Sequence, residues 1–173
     1  MWKIRKLRSS DFKDYCSNEL SYYMELVKDP SFGIGSYGKT VNKTLLAKHF
    51  KAMLKDMKVK KLVVLVAEND KGHIIGMAEA RGNAWAEAPH VADIGYSVVK
   101  DHRGKGLGTE LVKEIIKKCS GKYEIVTAGT FDSNTASKKL LRKLGFKTWG
   151  IGKGFVKRGR LYMDSELWYL RLR

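Results

Sequence analysis

Proline is scarce in this chain, at two of 173 residues. No proline-, glycine- or serine-rich linker, low-complexity block or internal repeat interrupts it, so a single domain over residues 1–173 is expected. Cysteine is equally scarce. Cys16 and Cys119 share no motif spacing with each other or with histidine, which reads as two core or bystander thiols. His49, His73, His90 and His102 are scattered, with no H-E-x-x-H and no C-x-x-C, so no metal is expected. Long apolar runs are missing too. The best candidate, Leu62 to Ala67, is far too short to span a bilayer and is flanked by Lys61 and Glu68. The opening residues Met1 to Lys6 alternate like a strand and lack a signal-peptide apolar block, so a soluble cytoplasmic protein is expected. Acidic residues are the last deficit: 18 Asp and Glu stand against 34 Lys and Arg, for a net charge of +16. The excess is spread along the chain. It predicts a positive surface that attracts nucleotide cofactors, acidic proteins or RNA, or else simply a solvated lysine-rich exterior.

Against these absences stands one informative stretch, Arg103-Gly104-Lys105-Gly106-Leu107-Gly108. Ahead of it Ala92 to Val99 alternates like a strand. Behind it Leu107, Leu111, Val112, Ile115, Ile116 and Cys119 recur at helical spacing. A glycine-rich turn between strand and helix gathers unpaired N–H groups at the positive end of a helix dipole, where a phosphate can sit. A plain strand-to-helix connector would also use such glycines. The spacing matches neither a Walker loop nor the dinucleotide fingerprint, since Gly104, Gly106 and Gly108 give G-x-G-x-G.

The remaining periodicities predict the order β-α-α-β-β-β-α-β-α-β-β. Residues 2–8 read as a strand, and Ser9-Ser10-Asp11 caps a helix with Phe12, Tyr15, Cys16, Leu20, Tyr23, Met24 and Val27 on its apolar face. Pro30 to Gly38 is a loop. A second helix carries Leu45 to Met57. Strands 62–67 and 73–81 join through Asn69-Asp70-Lys71-Gly72. After strand 91–99 and helix 106–119 come strand 123–128, a helix near 133–144 ended by Gly145, and strands 146–151 and 161–172. The strand–helix–strand unit implies a local parallel pair and the hairpins antiparallel neighbours, hence a mixed α/β sheet.

This order, with Arg103, Gly106 and Gly108 matching Gln/Arg-x-x-Gly-x-Gly/Ala, resembles the GNAT family of N-acetyltransferases. Asn134, Ser137, Leu140, Lys143, Gly145 and Phe146 fit the later family motif Asn-x-x-Ala/Ser-x-x-Leu-Tyr-x-Lys-x-Gly-Phe. Residues Gly152 to Phe155 and Gly159 to Asp164 resemble the closing hairpin of phosphinothricin acetyltransferase-type enzymes. The resemblance implies a mostly antiparallel sheet with a splayed central parallel pair and helices on both faces. Acetyl-CoA would lie in the splay, its pantetheine on backbone groups of Tyr96, Ser97 and Val98 and its pyrophosphate on Gly104, Lys105, Gly106, Leu107, Gly108 and Thr109 behind Arg103. Asn134 would touch the pantetheine arm, and the Val98 N–H would face the thioester oxygen.

Acetyl transfer to an amine requires deprotonating the amine, stabilising the carbonyl oxygen and protonating the thiolate. The resemblance favours Asp93 as base, five residues before Val98 where relatives carry glutamate; a strand-start carboxylate satisfied by Lys or Arg is the alternative. Glu79, on the neighbouring strand, is a second candidate. His90, at a loop–strand junction, could titrate near neutrality. In many relatives a tyrosine after the motif leucine protonates CoA sulfur, but Leu141 occupies that position and cannot donate. Tyr162, Tyr22, Tyr23 or water could act instead, or the thiolate could leave unassisted. The acceptor site is expected from the first helices, their loop and the closing hairpin, with Tyr22, Glu25 and Tyr37 in contact and Phe32 to Gly38 as a lid or connector.

The leading expectation is an acetyl-CoA-dependent N-acetyltransferase acting on a primary amine of a small molecule, peptide or protein. A catalytically silent acyl-CoA-binding domain and a basic ribosome- or RNA-associated protein are the alternatives. No helix-turn-helix, zinc finger or RNP-like strand supports the latter. Exposed strands in the closing hairpin suit a homodimer.

Overall fold

The structure, a computed structural model, describes residues 1–28 and 41–172. Seven strands form one sheet in the order β1-β2-β3-β4-β5-β7-β6. They are β1 (Trp2–Lys6), β2 (Leu62–Asn69), β3 (Ile74–Gly82), β4 (Val91–Val98), β5 (Ile125–Phe131), β6 (Lys147–Arg158) and β7 (Leu161–Arg171). Four helices join them: α1 (Phe12–Lys28), α2 (Lys43–Lys58), α3 (Leu107–Cys119) and α4 (Thr135–Lys143). The element order is the one read from the periodicities. The sixth strand runs seven residues past its expected end at Ile151, through register breaks at Thr148/Gly150 and Gly152/Val156 against β7.

Each side of the sheet carries its own core. Leu111, Val112, Ile115 and Cys119 of α3 and Leu141 of α4 pack on Ala78, Ala80, Ala92, Ile94, Val126 and Trp168. On the other side Tyr15 and Cys16 of α1 and Leu46 and Phe50 of α2 pack on Leu62, Val64 and Val66. Leu141 is fully buried. That helical position faces the core.

The sheet is antiparallel except between β4 and β5, which pair in parallel only at Val91↔Ile125, Ala92↔Val126 and Asp93↔Thr127. Beyond Asp93 the two strands part, so residues 94–98 keep β3 as a neighbour but lose β5. The splayed parallel pair is therefore present. Val99 N–H donates to the Ile75 carbonyl at 3.0 Å. Strand alternation then turns the backbone of the odd residues, Ser97 included, toward β3, and that of Tyr96 and Val98 toward the gap.

One expected face is turned. The second half of α1 leaves Leu20, Met24 and Val27 at 38%, 54% and 57% exposure. Asn18, Tyr22 and Glu25, spaced with Tyr15 at three and four residues, instead face the sheet and line a cleft. The helix presents a polar stripe because the surface beneath it is a cleft rather than core.

Candidate active site

The turn after β4 is built by backbone geometry. Gly104 and Gly106 have φ of +73° and +89°, where L side chains are strained, and nothing lies within 4 Å of a Cβ placed on either. Gly106 is the N-cap of α3. The first N–H groups of that helix, at Leu107, Gly108 and Thr109, have no intrahelical acceptor. Gly108 has the opposite constraint: a Cβ there would sit 3.3 Å from Leu140 Cδ1 and 3.7 Å from Val98 Cγ2. It allows α3 to approach α4 and the end of β4.

Arg103 organises the turn with its side chain. Its Nε donates to the Val98 carbonyl at 2.8 Å, and its two terminal nitrogens bind both carboxylate oxygens of Glu25 at 2.7 and 3.0 Å. The guanidinium is thus engaged by protein, and it ties α1 to the turn through a planar bidentate pair. This changes the expectation for Glu25. It lines the cleft, but its charge is matched by Arg103, so it shapes the wall and is not an open anion for an amine. Lys105 Nζ folds back onto the Asp101 carbonyl at 2.8 Å.

Across the gap, Asn134 caps α4. Its Oδ1 accepts from the Ser137 N–H at 3.0 Å, which fixes the amide orientation and leaves Nδ2 as a donor.

The cleft between α1 and the sheet is bounded by Asn18, Tyr22 and Glu25 on the helix and by Met77, Ser97 and Val98 on the strands. Tyr22 and Glu25 are therefore where they were expected. Tyr37 and the segment Phe32 to Gly38 lie outside the described residues. The carboxylates continue the same sheet face. Met77 pairs with Ser97, Glu79 with Gly95 and Arg81 with Asp93. Glu79 is one row beyond the cleft wall and Asp93 two, so the two are diagonal neighbours.

Neither carboxylate forms an ion pair among the described residues. Arg81, directly opposite Asp93, is drawn away to Asp56 of α2 at 2.5 Å. Asp93 accepts instead from the Thr127 hydroxyl at 2.9 Å. Protein crowding raises the Asp93 pKa above the ordinary carboxylate value, although the side chain keeps access to solvent, and the Thr127 hydroxyl acts the other way. Burial raises Glu79 as well; Arg81 opposes this shift and the charge of Asp93 adds to it. Gly95 leaves the space over Glu79 open, with its Cβ position 3.7 Å from the carboxylate.

Tyr162 is at the far end of the closing hairpin. It is 60% exposed, with Lys157 Nζ 5.0 Å from its ring centroid. The row through Asp93 and Thr127 reaches β7 at Tyr169. Tyr162 is seven residues further along β7, a distance of roughly 20 Å at the rise of a strand. The structure does not bring it to the carboxylates. His90 sits at the closed end of the gap, where its carbonyl accepts from Glu124 and Ile125 N–H. No group of acidic, histidine or cysteine side chains suited to a metal occurs among the described residues. Two features escaped the sequence reading: Asn18, which joins the expected Tyr22 and Glu25 on the cleft side of α1 and is legible from its helical spacing to them, and the side chain of Tyr96. The phenol oxygen of Tyr96 is buried without a hydrogen-bond partner.

A parallel pair that opens midway, with a glycine turn and a helix N-terminus at its mouth, defines an acyltransferase-like architecture. Residues 22–146 match the acetyltransferase (GNAT) family, and the chain belongs to it. Among curated proteins it is similar to the L-amino acid N-acetyltransferase AaaT of Escherichia coli, at 27% identity over 109 residues. That match covers 62% of this chain and 65% of the relative, just under two thirds of its length. Solved structures share the fold. A ribosomal-protein-alanine N-acetyltransferase from Brucella melitensis superposes with TM-score 0.82 at 23% identity, covering 98% of this chain and 99% of that one. A phosphinothricin acetyltransferase from Sinorhizobium meliloti, in complex with acetyl-CoA, gives 0.81 at 21% identity over 99% and 88%.

Proposed function

We propose that the protein is an N-acetyltransferase that moves the acetyl group of acetyl-CoA to a primary amine of a small molecule or peptide by direct attack on the thioester. The observation that carries this reading is the parting of β4 and β5 after Asp93, next to a turn whose glycines leave space for an anion. The residues fit acetyl-CoA. Tyr96 and the Val98 N–H turn toward a pantetheine arm, as a missing strand would, while the Val98 carbonyl is taken by Arg103 Nε. The N–H groups of Leu107, Gly108 and Thr109 suit the pyrophosphate, and Asn134 Nδ2 suits a pantetheine carbonyl. Arg103 contributes by holding Val98 and α1 in place. When bound, acetyl-CoA supplies an activated acyl carbon and a thiol leaving group.

The acceptor enters from the α1 face, over Tyr22, Met77 and Ser97. Val98 N–H stabilises the carbonyl oxygen as charge develops on it. Strand rise favours Glu79 over Asp93. Asp93 is five residues from Val98, roughly 17 Å along β4, whereas Glu79 lies opposite Gly95, roughly 10 Å from it. Glu79 is therefore the better-placed base, reaching the amine through a water. Asp93, steadied by Thr127, ionises first and holds the Glu79 pKa up by its charge.

The pH dependence follows. Glu79 must be deprotonated to act, so kcat/KM rises with pH through its elevated pKa. Asp93→Asn removes the neighbouring charge. The acid limb should move to lower pH with most of the alkaline plateau rate kept, as read in a pH–rate profile; an unmoved limb would break the coupling.

The relatives' names supply the amine panel: L-amino acids and an alanine-terminated peptide. Steady thiol release with one of them supports the reading. Acetyl-CoA binding without turnover on any of them favours a silent acyl-CoA-binding domain.

A further inference from the structure

We infer that Tyr96, through its side chain, is the hydrogen-bond donor to the departing CoA sulfur, the task that Leu141 cannot perform. The inference rests on the proposed acetyl transfer and names a residue for its last step.

Three observations converge. First, Tyr96 Oη is enclosed in protein with no hydrogen-bond partner of acceptable geometry. It is the one buried side-chain polar atom in that state among the described residues. An orphaned hydroxyl is costly, and such a group in a folded protein points to an acceptor that arrives later. Second, its position is suited to the sulfur. Tyr96 lies on the part of β4 that has lost β5, on the α3/α4 side with Ile94 and Val98. Residues i and i+2 of a strand share a face about 7 Å apart, within the reach of a tyrosine side chain. A donor two residues from Val98 can thus meet the sulfur attached to the carbon whose oxygen Val98 N–H holds. Third, Ser137 of α4 borders the hydroxyl from across the gap, so the phenol spans the cleft toward the helix whose Leu141 is packed into the core.

Burial raises the phenol pKa above its ordinary value, with the Ser137 hydroxyl acting in the opposite direction. Tyr96 therefore stays protonated and donates a hydrogen bond more readily than it surrenders the proton. As the amine nitrogen bonds to the acyl carbon, the carbon–sulfur bond breaks and its electron pair passes to sulfur. Tyr96 Oη–H stabilises that thiolate. The excess amine proton goes to Glu79 through water, and solvent supplies the proton that completes the thiol.

The test is Tyr96→Phe, which keeps the ring and removes only the hydroxyl. A hydrogen bond to a charged group supports an expected fall in kcat of about 10- to 100-fold with acetyl-CoA affinity unchanged. A second readout needs no acceptor: the thiol pKa of bound CoA, followed by thiolate absorbance in a pH titration. It should be higher in the phenylalanine variant by about 1–2 pH units, the same factor expressed as an equilibrium. Bound CoA with the same thiol pKa in both proteins overturns the role of Tyr96 while leaving the acetyltransferase reading intact. Absence of CoA binding in the unaltered protein overturns both.

Discussion

Gly106→Val is expected to weaken acetyl-CoA binding by about 100-fold or more in a calorimetric titration, while helix content and the α3 core persist. The magnitude follows from losing two charge-assisted hydrogen bonds to phosphate at about 1.5 kcal/mol each. Valine is β-branched and cannot hold a φ of +89° without strain. The backbone of the turn must move, and the N–H groups of Leu107, Gly108 and Thr109 move with it. No Cβ clash contributes, because the space beside Gly106 is open; it is the space proposed for the pyrophosphate. The control is Gly72→Val in the β2–β3 turn, where φ is +79° and the surroundings are equally open. The strain is similar but the site is remote, so binding should be unaffected. Equal loss in both variants would mean that strain alone, and not a phosphate cradle, explains the result.

Glu79→Gln should reduce kcat by at least about 100-fold, within the range for removing a general base, with acetyl-CoA affinity unchanged. It should also stabilise the fold at neutral pH. The sign follows from linkage. The folded-state pKa of Glu79 is raised above its unfolded value by burial and by Asp93. Its favourable contribution is complete below the unfolded pKa, near 4.3, and is lost as pH rises through the folded value. Glutamine cannot ionise. The variant and the unaltered protein should therefore melt together near pH 4 and diverge above it, with the variant the more stable. A variant that is less stable at pH 7 would show that the Glu79 carboxylate is held by compensating contacts, and would weaken its assignment as a tuned base.

How far the sequence led differs between fold and site. Every strand and helix was legible because each carries a local apolar period, and the Arg103 to Gly108 turn because glycines of positive φ leave a mark in composition. The alternation of β4 predicts Tyr96 to be a face-sharing neighbour of Ile94 and Val98. That its hydroxyl lacks a partner depends on where α4 packs, which no local pattern encodes. The α1 stripe misled for a related reason. Apolar spacing at Leu20, Met24 and Val27 identifies a helix but assumes that its apolar face meets core, whereas a cleft draws polar side chains inward. Arg103 matched the motif, yet its engagement with Glu25 joins residues 78 apart in the chain. Glu79 and Asp93 needed the β3–β4 register to become diagonal neighbours, and Arg81 needed Asp56 to be drawn away from them. Tyr162 carried a suitable hydroxyl, which strand length separates from the two carboxylates.

The most direct test of the central claim is simultaneous measurement of thiol release and acetylated amine by mass spectrometry. The reaction contains the protein, acetyl-CoA and the panel of L-amino acids and alanine-terminated peptide. The geometry predicts that, with at least one amine, free CoA and acetylated product appear in equal amounts and that both are lost in Glu79→Gln. Tight acetyl-CoA binding without thiol release or product on the whole panel would contradict it.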